Sequence, residues 1–444
     1  MRGTFTALSA LCAGLGLFAC EGSSDPPNGG PDTCPGRVST PLSGQLDPSF
    51  GEAGIARVSF GGDDDGSYFD LDVVDDRIIA AGWGAGGLGA IRFRLARLTD
   101  AGALDPTFGE DGRVTTGWAQ STADAVYANA VGRQQGGRIV AMGWRDQFRG
   151  ASANVAMAGY LADGSLDRDF GDGGRSLLDL GGEERILDGL VLPDDRIVVV
   201  GQRDDHLVVA RATADGLLDR DFGDGGHRLV GIGRSSEAGG VVVDPLGRIV
   251  VAGSANIGGQ HDMVLVRFTA GGDIDQSFGE GGIVVAGDPL LDERAVAIGL
   301  SPDGSLVVAG DAAPLGGDRD FQVRMFLPDG SPALGFGEGG VATPAITGGD
   351  DQAEDMVVLP GGDVLVVGNS GEWGAWQPLA ARYTCRGELD PTFGEDGVVE
   401  LDLGEYGVVR TVRRYSEDQV LLGGGDVGMS PGPGTYGVVA RMWM

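Results

Sequence analysis

A six-residue motif that returns at nearly regular intervals constrains this chain more than any other feature. Leu46-Asp-Pro-Ser-Phe-Gly51 recurs as Leu104-Asp-Pro-Thr-Phe-Gly109, Leu166-Asp-Arg-Asp-Phe-Gly171, Leu218-Asp-Arg-Asp-Phe-Gly223, Ile274-Asp-Gln-Ser-Phe-Gly279 and Leu389-Asp-Pro-Thr-Phe-Gly394. Pro332-Ala-Leu-Gly-Phe-Gly337 is a degenerate seventh copy. The seven Phe positions are separated by 58, 62, 52, 56, 58 and 57 residues, which makes one supersecondary unit per repeat.

Each unit has two more landmarks. A turn precedes an apolar run ending in glycine, as in Asp195-Arg-Ile-Val-Val-Val-Gly201 and Gly362-Asp-Val-Leu-Val-Val-Gly368. A further apolar strand usually contains Ala-Arg or Val-Arg, as at Ala96-Arg97, Ala210-Arg211, Val266-Arg267, Ala381-Arg382 and Ala440-Arg441. Short β-branched runs bounded by Asp, Gly and Pro predict buried strands with tight turns, and no helical period of useful length follows residue 20. Four short strands per repeat suit a propeller blade, with a solenoid as the alternative. In blade five the strands are expected at 295–300, 306–310, 321–327 and 340–343. The repeats begin with an outer strand, 54–60, and stop after a third strand, 437–444. A closed ring lets the first complete the last blade and removes two exposed edges. The expectation is an all-β, seven-bladed β-propeller with four-stranded blades, the N-terminal strand closing the last.

With motif copies at 46–54, 104–112, 166–174, 218–226, 274–282, 332–340 and 389–397, the chain resembles the delta-60 repeat, a β-propeller family of uncharacterised function in exported bacterial proteins. The likeness rests on Leu-Asp-x-x-Phe-Gly-x-x-Gly and the following Asp-Gly-x-Ile-x-x-x-Gly. It covers residues 46–444 and implies a fold, but no chemistry.

Before the repeats, Arg2 and the apolar run from Thr4 to Phe18 read as a secretory signal peptide. Leu17-Phe18-Ala19-Cys20 resembles the bacterial lipobox, whose cysteine is lipidated. The expected organisation is a signal peptide at 1–19, a flexible Gly- and Pro-rich tether at 20–45 and the propeller at 46–444. Cys20 would anchor an exported protein to the cell envelope, at the outer membrane or cell surface. That lipid would be its sole membrane contact. The formal charge is −33 and none of the 32 basic residues is lysine. Such a field repels nucleic acid, and the missing amine removes Schiff-base and phosphate-loop lysine chemistry.

A residue type repeated in nearly every blade is explained by architecture before chemistry. The Phe is expected to plug the seam between blades. The strand Arg and motif Asp lie eight residues apart in Arg97/Asp105, Arg211/Asp219, Arg267/Asp275 and Arg382/Asp390. Repeat five has lost both, to Met325 and Ala333, as a structural ion pair requires, whereas repeat two has Gly159 before Asp167. An acidic residue follows every Phe-Gly, and with Asp63, Asp64 and Asp65 these turns are weak calcium candidates. No other cofactor is expected.

Catalytic patterns are mostly rejected. Gly428-Met-Ser430-Pro-Gly432 lacks the helix a nucleophile elbow needs, because Pro431 and Pro433 forbid it. Gly82-Trp-Gly-Ala-Gly-Gly87 precedes a strand rather than a phosphate-binding helix. The three histidines, His206, His227 and His261, have no metal-ligand spacing. Asp70, Asp188 and Asp355 occupy equivalent places on inner strands and are candidates to ring the channel mouth, though no residue is singled out as catalytic. Cys34 and Cys385, the two cysteines left after export and lipidation, are expected to form a disulfide pinning the tether beside blade six. The resulting expectation is a monomeric, non-enzymatic extracytoplasmic scaffold binding a protein or glycan partner through loops or channel. The alternatives are a hydrolase or lyase with a channel carboxylate site, and a structural or adhesin component dependent on calcium.

Overall fold

A computed structural model of the chain describes residues 43–61, 66–74, 76–86, 90–118, 124–147, 151–371, 375–404, 407–426 and 436–444. All fall in one compact unit, Cys34–Met444. Asp63, Asp64, Asp65, Ser430, Cys20 and Cys34 lie outside the described residues.

The first strand, β1 (Ile55–Val58), stands apart from the repeats that follow. Blade one is β2 (Gly66–Val74), β3 (Arg77–Gly86), β4 (Ala90–Thr99) and β5 (Arg113–Thr116). Blade two is β6 (Asp124–Arg133), β7 (Ile139–Gln147), β8 (Ala151–Tyr160) and β9 (Arg175–Leu178), and blade three β10 (Glu184–Val191), β11 (Ile197–Arg203), β12 (His206–Ala212) and β13 (His227–Val230). Blade four is β14 (Ser236–Val243), β15 (Ile249–Ile257), β16 (Gln260–Phe268) and β17 (Ile283–Ala286), and blade five β18 (Leu291–Leu300), β19 (Leu306–Pro314), β20 (Asp320–Phe326) and β21 (Val341–Ala342). Blade six is β22 (Asp351–Val358), β23 (Val364–Ser370), β24 (Gln377–Tyr383) and β25 (Val398–Glu400). Blade seven is β26 (Gly407–Arg414), β27 (Gln419–Asp426) and β28 (Gly437–Trp443), completed by β1.

All seven sheets are four-stranded and antiparallel. The ring closes by Ile55↔Ala440 through Val58↔Gly437, so the outer strand of the last blade comes from the start of the repeats. In blade five the inner strand begins four residues earlier than the apolar pattern implied. Its first part, Leu291-Asp-Glu-Arg294, is polar and is held by cross-strand pairing with β19. The outer strand has only two residues there.

Every inner strand carries a bulge at the same place, between Tyr68 and Asp70, Ala128 and Ala130, Ile186 and Asp188, Ala238 and Gly240, Ala295 and Ala297, Ala353 and Asp355, and Val409 and Thr411. This explains the glycine ending each second-strand run. The bulge presses an inner-strand carbonyl into the space a Cβ would occupy: Ser67 O lies 1.9 Å from that position at Gly82, and Arg185 O 2.0 Å at Gly201. In blade seven Gly424 has this role, one residue beyond the Gly423 that ends the apolar run.

Seven hydrophobic clusters fill the seven seams, each with residues of two adjacent blades and one motif Phe. Phe50, Phe108, Phe170, Phe222, Phe278, Phe336 and Phe393 are at most 1 % exposed. The glycine after each Phe has φ between 50° and 56°, which a side chain rarely adopts. From blade seven round to blade five, that glycine's N–H donates at 2.7–2.9 Å to a turn carbonyl of the next blade, as in Gly51 N to Ala101 O and Gly223 N to Gly271 O. One motif thus turns the chain, plugs the seam and bonds it to its neighbour.

Candidate functional site: the central channel

The two ends of the channel differ. One face holds the turns between first and second strands and the repeated motif. There Nε of Arg97 lies 3.0 Å from Asp105 Oδ2, that of Arg211 2.7 Å from Asp219, that of Arg267 2.8 Å from Asp275 and that of Arg382 3.2 Å from Asp390. Nε of Arg441 makes the same contact with Asp47 Oδ2, 2.9 Å away across the ring closure. Sequence spacing hid that pair, because its members stand at opposite ends of the repeats. The guanidinium also covers the motif ring, 4.5 Å from the centroid for Arg267 over Phe278 and 4.7 Å for Arg97 over Phe108. Burial pushes Asp105 up, but the Thr107 hydroxyl and N–H with Arg77 and Arg97 outweigh it and hold the carboxyl at about 2.

The two exceptional repeats solve the same problem differently. In blade two the ring atoms of Phe170 fill the space a Cβ on Gly159 would need, and Asp167 takes Arg138 from the neighbouring strand, 2.6 Å away. Position 138 follows a turn glycine and gave no signal of this substitution. In blade five Met325 and Ala333 are both buried, while Arg324 points elsewhere and pairs with Glu293. Among the described residues no group of three or more His, Cys, Asp or Glu side chains is placed to hold a metal. His261 Nδ1 is bonded to Asp292 at 2.9 Å, and His227 Nε2 lies 3.2 Å from Arg203.

The channel itself contains Asp70, Asp188 and Asp355, each directly after its strand's bulge. One carboxylate oxygen accepts the N–H of the following residue, Leu71, Gly189 or Met356, at 2.7–2.8 Å. The other reaches the next blade's inner strand, at Val131, Val241 or Val412, at 2.8–2.9 Å. These aspartates are latches between blades one and two, three and four, and six and seven. They line the central cavity. Blades two, four, five and seven have Ala130, Gly240, Ala297 and Thr411 at the equivalent position, so the latch is not part of the repeat.

Arg413 of β26 draws two of these latches together. Its guanidinium lies 2.5 Å from Asp70 Oδ1 and 2.7 Å from Asp355 Oδ2. Burial pushes Asp70 up to about 7, with Arg413 and the Val131 N–H offsetting part of the rise. Asp188, buried likewise and likewise opposed chiefly by Arg413, is pushed to about 6. One level away, the bulged residues project inward. Glu354 is paired with Arg410 and raised by burial to about 7, and the Arg410 guanidinium lies 5.6 Å from the Phe69 ring centroid. Phe69 begins an aromatic chain through Trp83 (6.1 Å), Tyr127 (5.5 Å) and Trp144 (4.5 Å), which ties blades one and two together. Sequence reasoning missed Arg410, Arg413 and Glu354. Their signal was a charge at an inner-strand position that is uncharged in most other blades.

Four segments, 75–108, 192–222, 247–278 and 301–336, match a family described as a β-propeller domain of unknown function, DUF5122. The chain is a β-propeller protein. Solved structures similar to this propeller include a protein of unknown function from Dyadobacter fermentans DSM 18053, at 12 % identity and a TM-score of 0.47, covering 90 % of this chain and 100 % of that one. YCF48 bound to D1 peptide gives 13 % and 0.48, covering 92 % and 100 %. Puromycin hydrolase gives 17 % and 0.46, covering 90 % of this chain and 55 % of its own. At these values the likenesses carry no argument about what the propeller does. No curated protein matches the chain.

Proposed function

We propose that this propeller is a non-enzymatic, lipid-anchored extracytoplasmic scaffold that binds a protein or glycan partner with the face opposite the repeated motif. The observation that carries this reading is where the blades differ. The motif face repeats one module nearly unchanged. On the other face, the connection from second to third strand grows from two residues between Arg203 and His206 to ten between Asp426 and Gly437. Loops that differ from blade to blade on a rigid ring are the usual seat of recognition. The channel aspartates favour binding over turnover, because both oxygens of each already accept backbone hydrogen bonds.

Anchorage follows from Cys20 at the lipobox-like site. Cys385 is disulfide-bonded, and we assign Cys34 as its partner. The chain enters the ring beside blade six, where Arg382 Nη1 lies 3.4 Å from Ser43 Oγ and the missing Cβ of Gly44 would lie 3.2 Å from Gly394 N. Nine residues beyond that point reach Cys34.

Capture from the native envelope with the Cys20→Ser chain tests the reading. One dominant protein or polysaccharide, lost when residues 427–435 are replaced by Gly and Ser, supports it. Cleavage of a captured glycan would favour the hydrolase or lyase instead, and binding that requires calcium would favour the adhesin.

A further inference from the structure

The channel encloses a cavity of about 590 Å³ lined by all seven inner strands. Its walls are unlike. Blades three, four and five contribute Leu187, Gly239 and Val296, an apolar arc in which Leu187 is 39 % exposed although it faces inward. A leucine so exposed inside a channel has no protein partner for much of its surface. The lining as a whole holds five carboxylates, Asp70, Asp72, Asp188, Glu354 and Asp355, against three guanidiniums, Arg133, Arg410 and Arg413.

The distribution of these charges is uneven. Arg413 is shared by Asp70 and Asp355, which leaves that trio with more carboxylate than guanidinium, and Arg410 pairs with Glu354. Asp188 has two backbone hydrogen bonds but no arginine within ion-pair distance, and it adjoins Leu187 on the apolar arc. Arg413 acts on Asp188 only through space and is already in contact with Asp70 and Asp355, so a cation supplied from elsewhere is favoured at Asp188.

We infer that the cavity is a binding site for an organic cation, an alkylammonium or alkylguanidinium whose charged head meets Asp188 and whose alkyl part lies on Leu187 and Val296. An anion would face the carboxylate surplus, and a neutral ligand of the same shape would leave Asp188 unpaired. A pocket with an apolar wall and a surplus of carboxylate selects ligands in this way. The head group arrives either on a small molecule or at the tip of a partner's lysine or arginine. The inference rests on the face opposite the repeated motif being the binding face, but not on the identity of any partner captured there.

The test is a ligand-observed NMR titration of the purified full chain at pH 7.5 with butylguanidinium, with butanol and butyrate as neutral and anionic counterparts. The cation is expected to bind at least about tenfold more tightly than either, a difference of about 1.4 kcal/mol. Leu187→Arg, which places a positive charge at an already exposed position, should weaken it by a similar factor with the melting temperature unchanged. Leu187→Glu should strengthen it. No binding by the cation, equal binding by butanol or butyrate, or indifference to Leu187→Arg would overturn the inference. Capture of a partner that persists in those cases leaves the scaffold reading standing alone. If butylguanidinium displaces a captured protein, the cation belongs to that partner's side chain, and if it binds without displacement the ligand is a small molecule.

Discussion

Replacing Arg267 by methionine copies into blade four half of what blade five already has, and the cost should depend on whether Asp275 is left behind. The Arg267 side chain is 3 % exposed, with Nε 2.8 Å from Asp275 Oδ2 and the guanidinium 4.5 Å from the Phe278 centroid. It also donates to Pro328 O of the next blade. Removing one partner of a buried pair costs about 3–5 kcal/mol. Asp275 retains Ser277 as donor and has Arg248 3.6 Å away, so Arg267→Met should cost about 2–3 kcal/mol, at or just below the lower end of that range. Asp275→Ala, which strands the guanidinium, should cost about the same. The double variant recreates the Met325 and Ala333 arrangement. It loses only the ring contact and the carbonyl link, about 1–2 kcal/mol together. Urea unfolding of the four proteins, with m-values compared, measures the coupling. Single-variant losses that simply add in the double variant, to about 5 kcal/mol, would refute the view that the two residues act as one unit.

Other predictions concern pH, the seam and the cysteines. Asp70 and Glu354 at about 7 and Asp188 at about 6 bind protons more tightly folded than unfolded. Stability should therefore rise on acidification from pH 8 to 5 and fall again as motif carboxylates such as Asp105, held at about 2, are protonated. Urea midpoints across pH 3–8 check this, and Asp70→Asn should flatten the slope between pH 6 and 8. Phe222→Ala in the seam of blades three and four should cost about 3–5 kcal/mol, because the ring is fully buried, and denaturation that moves by less than about 1 kcal/mol would contradict the seam's role. Mass spectrometry of unreduced peptides should recover Cys34 linked to Cys385, and a peptide joining Cys385 to another cysteine would refute the assignment. Cys20→Ser should release the protein from membranes, and undiminished membrane association would refute the anchor.

Architecture was legible because it repeats. Seven copies of one motif located the seams, the four arginine–aspartate pairs at eight-residue spacing and the closing strand, for these depend on local patterns stated many times. Blade five made the pairing readable by losing both members together. Arg138 and Arg441 escaped notice because their carboxylates lie on another strand or at the far end of the repeats. The channel was legible only in outline. Asp70, Asp188 and Asp355 stood out as equivalent inner-strand acids, but their work as latches depends on a bulge that no hydrophobic pattern announces. Arg413 joins blades one and six from blade seven, which no spacing rule relates.

Photo-cross-linking in the native envelope tests the central claim most directly. A photoreactive residue at Leu290 or Leu315, 71 % and 80 % exposed on the face opposite the motif, is compared with one at Leu217 or Leu246, 58 % and 75 % exposed on the motif face. The account predicts one discrete adduct from the first pair and none from the second. The same adduct from the motif face, with none from Leu290 or Leu315, would contradict it.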